Sequence, residues 1–131
     1  MSQPLAVLGR FVFGLRTAPF DQLRRSTAQR IASNNRFGLL AAHQHLGPGD
    51  DAITITGVLM PEITGGPSTL DDLRAMAERG ESYPLLDGEG YYYGYWLIES
   101  VEESKSVFMA GGVARKIEFT LNLKRDEEPG V

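Results

Sequence analysis

The chain has 131 residues, of which 42% are hydrophobic and 23% charged, with 15 glycines, no cysteine and a net charge of −4. That length suits one domain with one core, expected to span residues 1–131 with a tail fraying from about residue 126. The acidic balance excludes a generic nucleic-acid binder. The lack of cysteine excludes a disulfide scaffold, a thiolate metal site and a cysteine nucleophile. Apolar runs are far shorter than the ~20 residues a spanning helix needs. The start, Met1-Ser2-Gln3-Pro4, lacks a signal-peptide pattern, so a cytoplasmic site of synthesis and assembly is expected. The charge is unevenly spread: residues 1–36 hold six arginines against Asp21, whereas residues 37–110 hold three basic and twelve acidic groups.

Val7 to Leu15 reads as one strand, with Val7, Phe11, Phe13 and Leu15 on one parity. Phe20 to Ile31 fits a helix face or a strand equally, since Leu23, Thr27 and Ile31 sit four apart. Asn34-Asn35 mark a turn, and Phe37 to Leu46 read as the return strand of a hairpin. Gly47-Pro48-Gly49-Asp50-Asp51 is a strong turn signal. Ala52 to Leu59, rich in β-branched residues, follows as a strand. After Pro61 to Pro67, the spacing of Leu70, Leu73, Met76 and Ala77 predicts a helix over about residues 69–79. Ser68 or Thr69 is its expected N-cap, Asp71 and Asp72 lie in its expected first turn, and Gly80 ends it.

Asp87-Gly88-Glu89-Gly90 turns the chain into a strand from Tyr91 to Val101. Glu102 to Lys105 read as a polar turn, Val107 to Met109 as the start of another strand, and Ala110-Gly111-Gly112 as a turn. Ala114 to Arg125 alternates cleanly, with Ile117, Phe119, Leu121 and Leu123 on one face. The expected class is α+β, mostly β: an antiparallel sandwich or open barrel with one flanking helix.

Few residues point to catalysis. His43 and His45 would share a strand face and could supply two metal ligands, but no third accompanies them in a known spacing. No serine elbow is present. The acid pairs Asp50-Asp51, Asp71-Asp72 and Glu102-Glu103 fit capping or solvated positions. Gly88-Glu-Gly90-Tyr-Tyr-Tyr-Gly94 departs from a dinucleotide fingerprint and precedes a strand instead of a helix. No catalytic, cofactor-binding or metal residue is therefore assigned. The aromatic run Tyr91-Tyr92-Tyr93 with Tyr95-Trp96 would place aromatics on both strand faces, one set for the core and the other for a helix or a protein interface.

The residues also carry a family resemblance. Phe11-Val-Phe-Gly-Leu15 with Thr17-Ala-Pro19 resembles the opening of the phage tail protein U (GpU) family of contractile-tailed, P-two-like phages and prophages. Leu46-Gly-Pro-Gly-Asp-Asp51, Gly57-Val-Leu59, Pro61-Glu62, Thr64-Gly-Gly66 and the helix residues Leu70, Leu73, Arg74, Met76 and Ala77 continue the pattern in order. Pro84-Leu85, Gly94 with Trp96, and Ile117 to Arg125 complete it. The resemblance implies a tail-tube-protein-like fold and a structural, non-enzymatic virion protein. It further implies a homo-oligomeric, hexameric ring near the tail tube end or baseplate hub, with tube, tape measure and hub proteins as partners. No membrane or sequence-specific nucleic acid is expected among them.

A ring joins unlike surfaces head to tail. The arginine-rich start and acidic middle suggest Arg24, Arg25 and Arg30 facing Asp50, Asp51 or Glu62 of a neighbour, with Tyr92 and Trp96 adding apolar contact. The alternative reading is a small ligand-binding or hydrolytic domain using the tyrosine-rich strand with His43 and His45.

Overall fold

The computed structural model describes residues 4–34 and 42–126. Seven strands and one helix follow in the order β1 (Ala6–Leu8), β2 (Phe11–Phe13), β3 (Phe20–Asn34), β4 (Ala42–Leu59), α1 (Pro67–Glu78), β5 (Ser82–Asp87), β6 (Tyr92–Phe108) and β7 (Ala114–Asp126). All strands join one antiparallel sheet ordered β2-β1-β5-β6-β7-β4-β3. The mostly-β antiparallel architecture with one flanking helix is the expected one. β2 and β3 form the two edges, so among the described residues the sheet does not close into a barrel.

The core lies on one face. Ile53, Ile55 and Leu59 of β4 stand opposite Leu123, Leu121 and Ile117 of β7, and all six are buried. Leu70, Leu73 and Met76 form the inward stripe of α1, which packs against β6. Burying each large apolar side chain contributes about 1.5–3 kcal/mol. The outer face is polar where three strands meet. Thr54 donates to Asn122 at 3.0 Å, and Asn122 donates to Ser100 at 2.8 Å.

Several local expectations change. Val7 to Leu15 is two short strands joined by a turn at Gly9-Arg10, with Leu8 opposite Phe11. The ambiguous Phe20 to Ile31 segment is strand throughout, because β4 offers it a partner along its whole length. The hairpin return is borne out from Ala42 onward, while the Asn34-Asn35 turn lies largely outside the described residues.

Gly47 to Asp51 is no turn. β4 runs through it, and the turn-prone residues instead sit beside register shifts between Thr27 and Gln29 and between Arg30 and Ile31. Gly47 takes a φ of 109°, which lets the strand absorb the irregularity without ending.

The helix begins at Pro67 with Gly66 as N-cap and no side-chain cap bond. A proline at the first helical positions presets φ and lacks a donor that would be unpaired there. Asp71 and Asp72 therefore fall outside the first turn. Gly80 closes the other end, its N–H donating to Ala77 O.

Glu102 to Lys105 is also strand rather than turn. Glu103 lies opposite Phe119 on the inward face, and Arg74 of α1 meets its carboxylate at 2.6 Å. A polar run can thus continue a strand when the covering helix supplies the counter-charge.

Candidate functional site

Among the described residues, β4 pairs with β7 from Ala52 onward, whereas its pairing with β3 continues to Ala42. The β3–β4 hairpin consequently leaves the sheet as a two-stranded arm, residues 28–34 with 42–50. Over residues 28–33 and 42–50 its side chains are mostly exposed on both faces, including Ile31 and Leu46. A two-stranded ribbon is marginal in water without further packing, and among the described residues β3 is an open edge.

A charged cluster anchors the arm where it departs. Arg25 donates Nε and Nη2 to the two carboxylate oxygens of Asp51, at 3.0 and 2.7 Å, and Thr27 adds a bond to Asp51 at 3.0 Å. Arg125 approaches the same carboxylate at 3.9 Å. Both guanidinium groups lie over Trp96, Arg25 at 5.4 Å and Arg125 at 5.7 Å from the ring centroid, within cation–π range.

Arg125 reaches this position because position 94 is glycine. Gly94 has a φ of 104°, and an added Cβ would lie 2.7 Å from the guanidinium. Arg125 also donates to Tyr93 O at 3.1 Å.

The electrostatics follow from these contacts. The hydrogen bond from Arg25 holds the Asp51 carboxyl below its usual range, outweighing the opposing effect of burial, with Thr27 and both arginine charges adding to it. The same bond raises Arg25. Burial is the main cause that pushes the Tyr93 hydroxyl up. A cleft of about 680 Å³ opens beside the cluster, lined by Thr27, Pro48, Gly49, Asp50, Lys124 and Arg125 among others.

The sequence-selected residues divide clearly. Arg25 and Asp51 meet each other within one chain. Trp96 is fully buried in the core. Glu62 pairs with Arg115 of the same chain at 3.2 Å. Arg24, Arg30 and Asp50 are exposed, and Tyr92 is 47% exposed with its ring against Tyr95. Strand pairing of β3 with β4 brings the arginine-rich start alongside the acidic middle, so the two charge groups are neighbours in one hairpin.

His43 and His45 lie on the exposed arm. His43 Nδ1 is 2.8 Å from Ser33 Oγ and His45 Nε2 is 2.8 Å from Gln29 Oε1. Among the described residues no group of three or more metal-ligating side chains comes together. The histidines, Tyr92 and Trp96 do not line the cleft. Sequence reading missed Arg125 and Thr27. Their signal was register: Thr27 lies opposite Asp51 and Arg125 opposite Trp96.

The chain is similar over 126 residues, at 32% identity, to the "Probable tape measure protein" of Halomonas phage phiHAP-1. The alignment covers 95% of this chain but only 14% of that protein's length. A family model described as Phage P2 GpU matches residues 9–128. That span runs from the β1–β2 turn past the end of β7 and takes in the arm, its anchoring cluster and the helix, so the chain belongs to the Phage P2 GpU family.

Proposed function

We propose that this chain is a structural subunit of a phage tail that closes head to tail into a hexameric ring near the tube end or baseplate hub. The family match over residues 9–128 carries this reading. The projecting arm supports the ring, since it presents an open strand edge and exposed apolar groups that a neighbouring copy can cover. Among the described residues of that hairpin, Asp21, Arg24, Arg30 and Asp50 are exposed charged groups available to a neighbour. Exposed ion pairs of this kind contribute little, so apolar contact supplies most of the affinity.

The tape measure protein is the first partner in this proposal. In the Halomonas phage relative a similar segment is part of one polypeptide with that name, which supports a place beside a tape measure chain here. The ring works in the virion tail after assembly in the host cytoplasm and performs no catalysis.

Electron microscopy with light scattering on the purified protein tests the reading. A six-membered ring is the expected particle, formed alone or on addition of the tape measure chain. A monomer at every concentration, with or without that chain, overturns it.

A further inference from the structure

The two ends of β6 present different chemistry. At its C-terminal end the β6–β7 hairpin runs past the last β4 pair, Leu59 with Ile117, and turns between Met109 and Val113. Val107, Phe108, Met109 and Val113 are 60, 58, 41 and 54% exposed. Val107 has a φ of 54°, a region that β-branched residues enter only at an energetic cost. Met60 and Ile63 are exposed on the 60–66 loop at the same end, which the Arg115–Glu62 ion pair ties to the hairpin. Contiguous exposed apolar patches of this kind mark interaction sites.

At the other end of β6, the turn after Asp87 lies beside the start of the chain, because Ala6 pairs with Asp87. Leu5, Tyr91 and Tyr92 are 42, 59 and 47% exposed there. The 17 residues of β6 hold the two patches roughly 50 Å apart, so they cannot cover one another within one molecule. Their rims differ in sign. At the tip Arg115 pairs with Glu62 at 3.2 Å and Lys116 with Glu118 at 3.5 Å, which leaves Lys105 as the surplus cation, while the 87–91 turn carries Asp87 and Glu89 and no cation.

We propose that the β6–β7 tip of one copy seats on the Leu5, Tyr91 and Tyr92 end of the next copy. This rests on the ring reading and names the contact that closes it. The contact is heterologous, joining two unlike patches, and such contacts propagate into closed rings when the rotation permits. The apolar tip supplies the buried centre, and the opposed rim charges fix orientation.

The absence of cysteine makes the test direct. Val113→Cys and Glu89→Cys are made separately and mixed under mild oxidation. Cross-linked product from the mixture is expected to exceed that from either variant alone by about tenfold. Phe108→Asp should raise the concentration needed for assembly by about tenfold while leaving the thermal melt of the monomer in place.

Predominant Val113-to-Val113 cross-links, or a ring untouched by Phe108→Asp, overturn the contact and leave the ring reading standing. A wild-type chain monomeric under all conditions sinks both. Binding of a different tail protein by wild type and not by Phe108→Asp, without self-cross-linking, assigns the tip to that protein and overturns the proposal.

Discussion

Arg25 and Asp51, 26 residues apart in sequence, close a two-point ion pair across the β3–β4 hairpin, with N–O distances of 3.0 and 2.7 Å. Asp51 is largely shielded, with 13% of its side chain exposed, so this pair counts for more than an ordinary surface contact. Asp51→Asn and Arg25→Met should each destabilise the chain by about 1–3 kcal/mol in urea unfolding at neutral pH. The double variant should lose less than the sum of the two, which a double-mutant cycle reads directly. Additive losses would show that the pair contributes no coupling.

The same bond sets an acid dependence. Because the folded-state pKa of Asp51 is depressed, its stabilisation is fully present above the ordinary carboxylate value of about 4. It is lost as pH falls below that value through the depressed folded one. Urea midpoints of wild type should therefore fall more steeply below about pH 4 than those of Asp51→Asn. Parallel pH profiles would remove Asp51 from the acid transition.

Trp96 is the single tryptophan and is fully buried beneath two guanidinium groups. Trp96→Ala should cost about 3–5 kcal/mol through the cavity it leaves. Its fluorescence in wild type should report global unfolding, with a transition coincident with far-ultraviolet circular dichroism. A fluorescence transition well ahead of the dichroism would mean that the anchoring cluster opens before the sheet.

Gly94→Ala combines an unfavourable φ of 104° with a Cβ 2.7 Å from Arg125. A loss of about 1–3 kcal/mol is expected, and displacement of Arg125 should alter the tryptophan emission. Pairing Gly94→Ala with Arg125→Ala separates the two causes: relief of the clash recovers part of the loss, while backbone strain remains.

Arg74 joins helix to sheet, meeting Asp71 at 3.1 Å and the inward-facing Glu103 at 2.6 Å. Arg74→Met leaves Glu103 without that counter-charge and should destabilise by about 1–2 kcal/mol. Replacing Glu103 by Gln in the same chain should restore part of that stability. Calorimetric melting temperatures of the two variants give the comparison.

The long alternation in β7 and the apolar stripe of α1 were legible because each repeats a simple period over several residues. β6 and β4 were harder. Glu103 faces inward beside a helix-borne arginine, and Gly47, Pro48 and Gly49 accompany register shifts; both look like turns when only local chemistry is considered. The candidate interface was less legible for a related reason. Arg25, Asp51 and Trp96 all have interface chemistry, yet each is occupied within its own chain, and that depends on cross-strand register that one strand's sequence does not carry. The apolar Val107–Met109 segment was visible, but its exposure depends on how far β6 and β7 run beyond β4.

The bulged arm has a consequence for exchange kinetics. Among the described residues its backbone hydrogen bonds cross one strand pair, so they can open without disturbing the seven-stranded layer behind them. Amides paired between residues 28–34 and 42–50 should exchange with solvent far faster in the free subunit than those of Ile53 to Leu59. Incorporation into a larger particle should slow the first group alone, making the ribbon a built-in reporter of whether a subunit has found its neighbour.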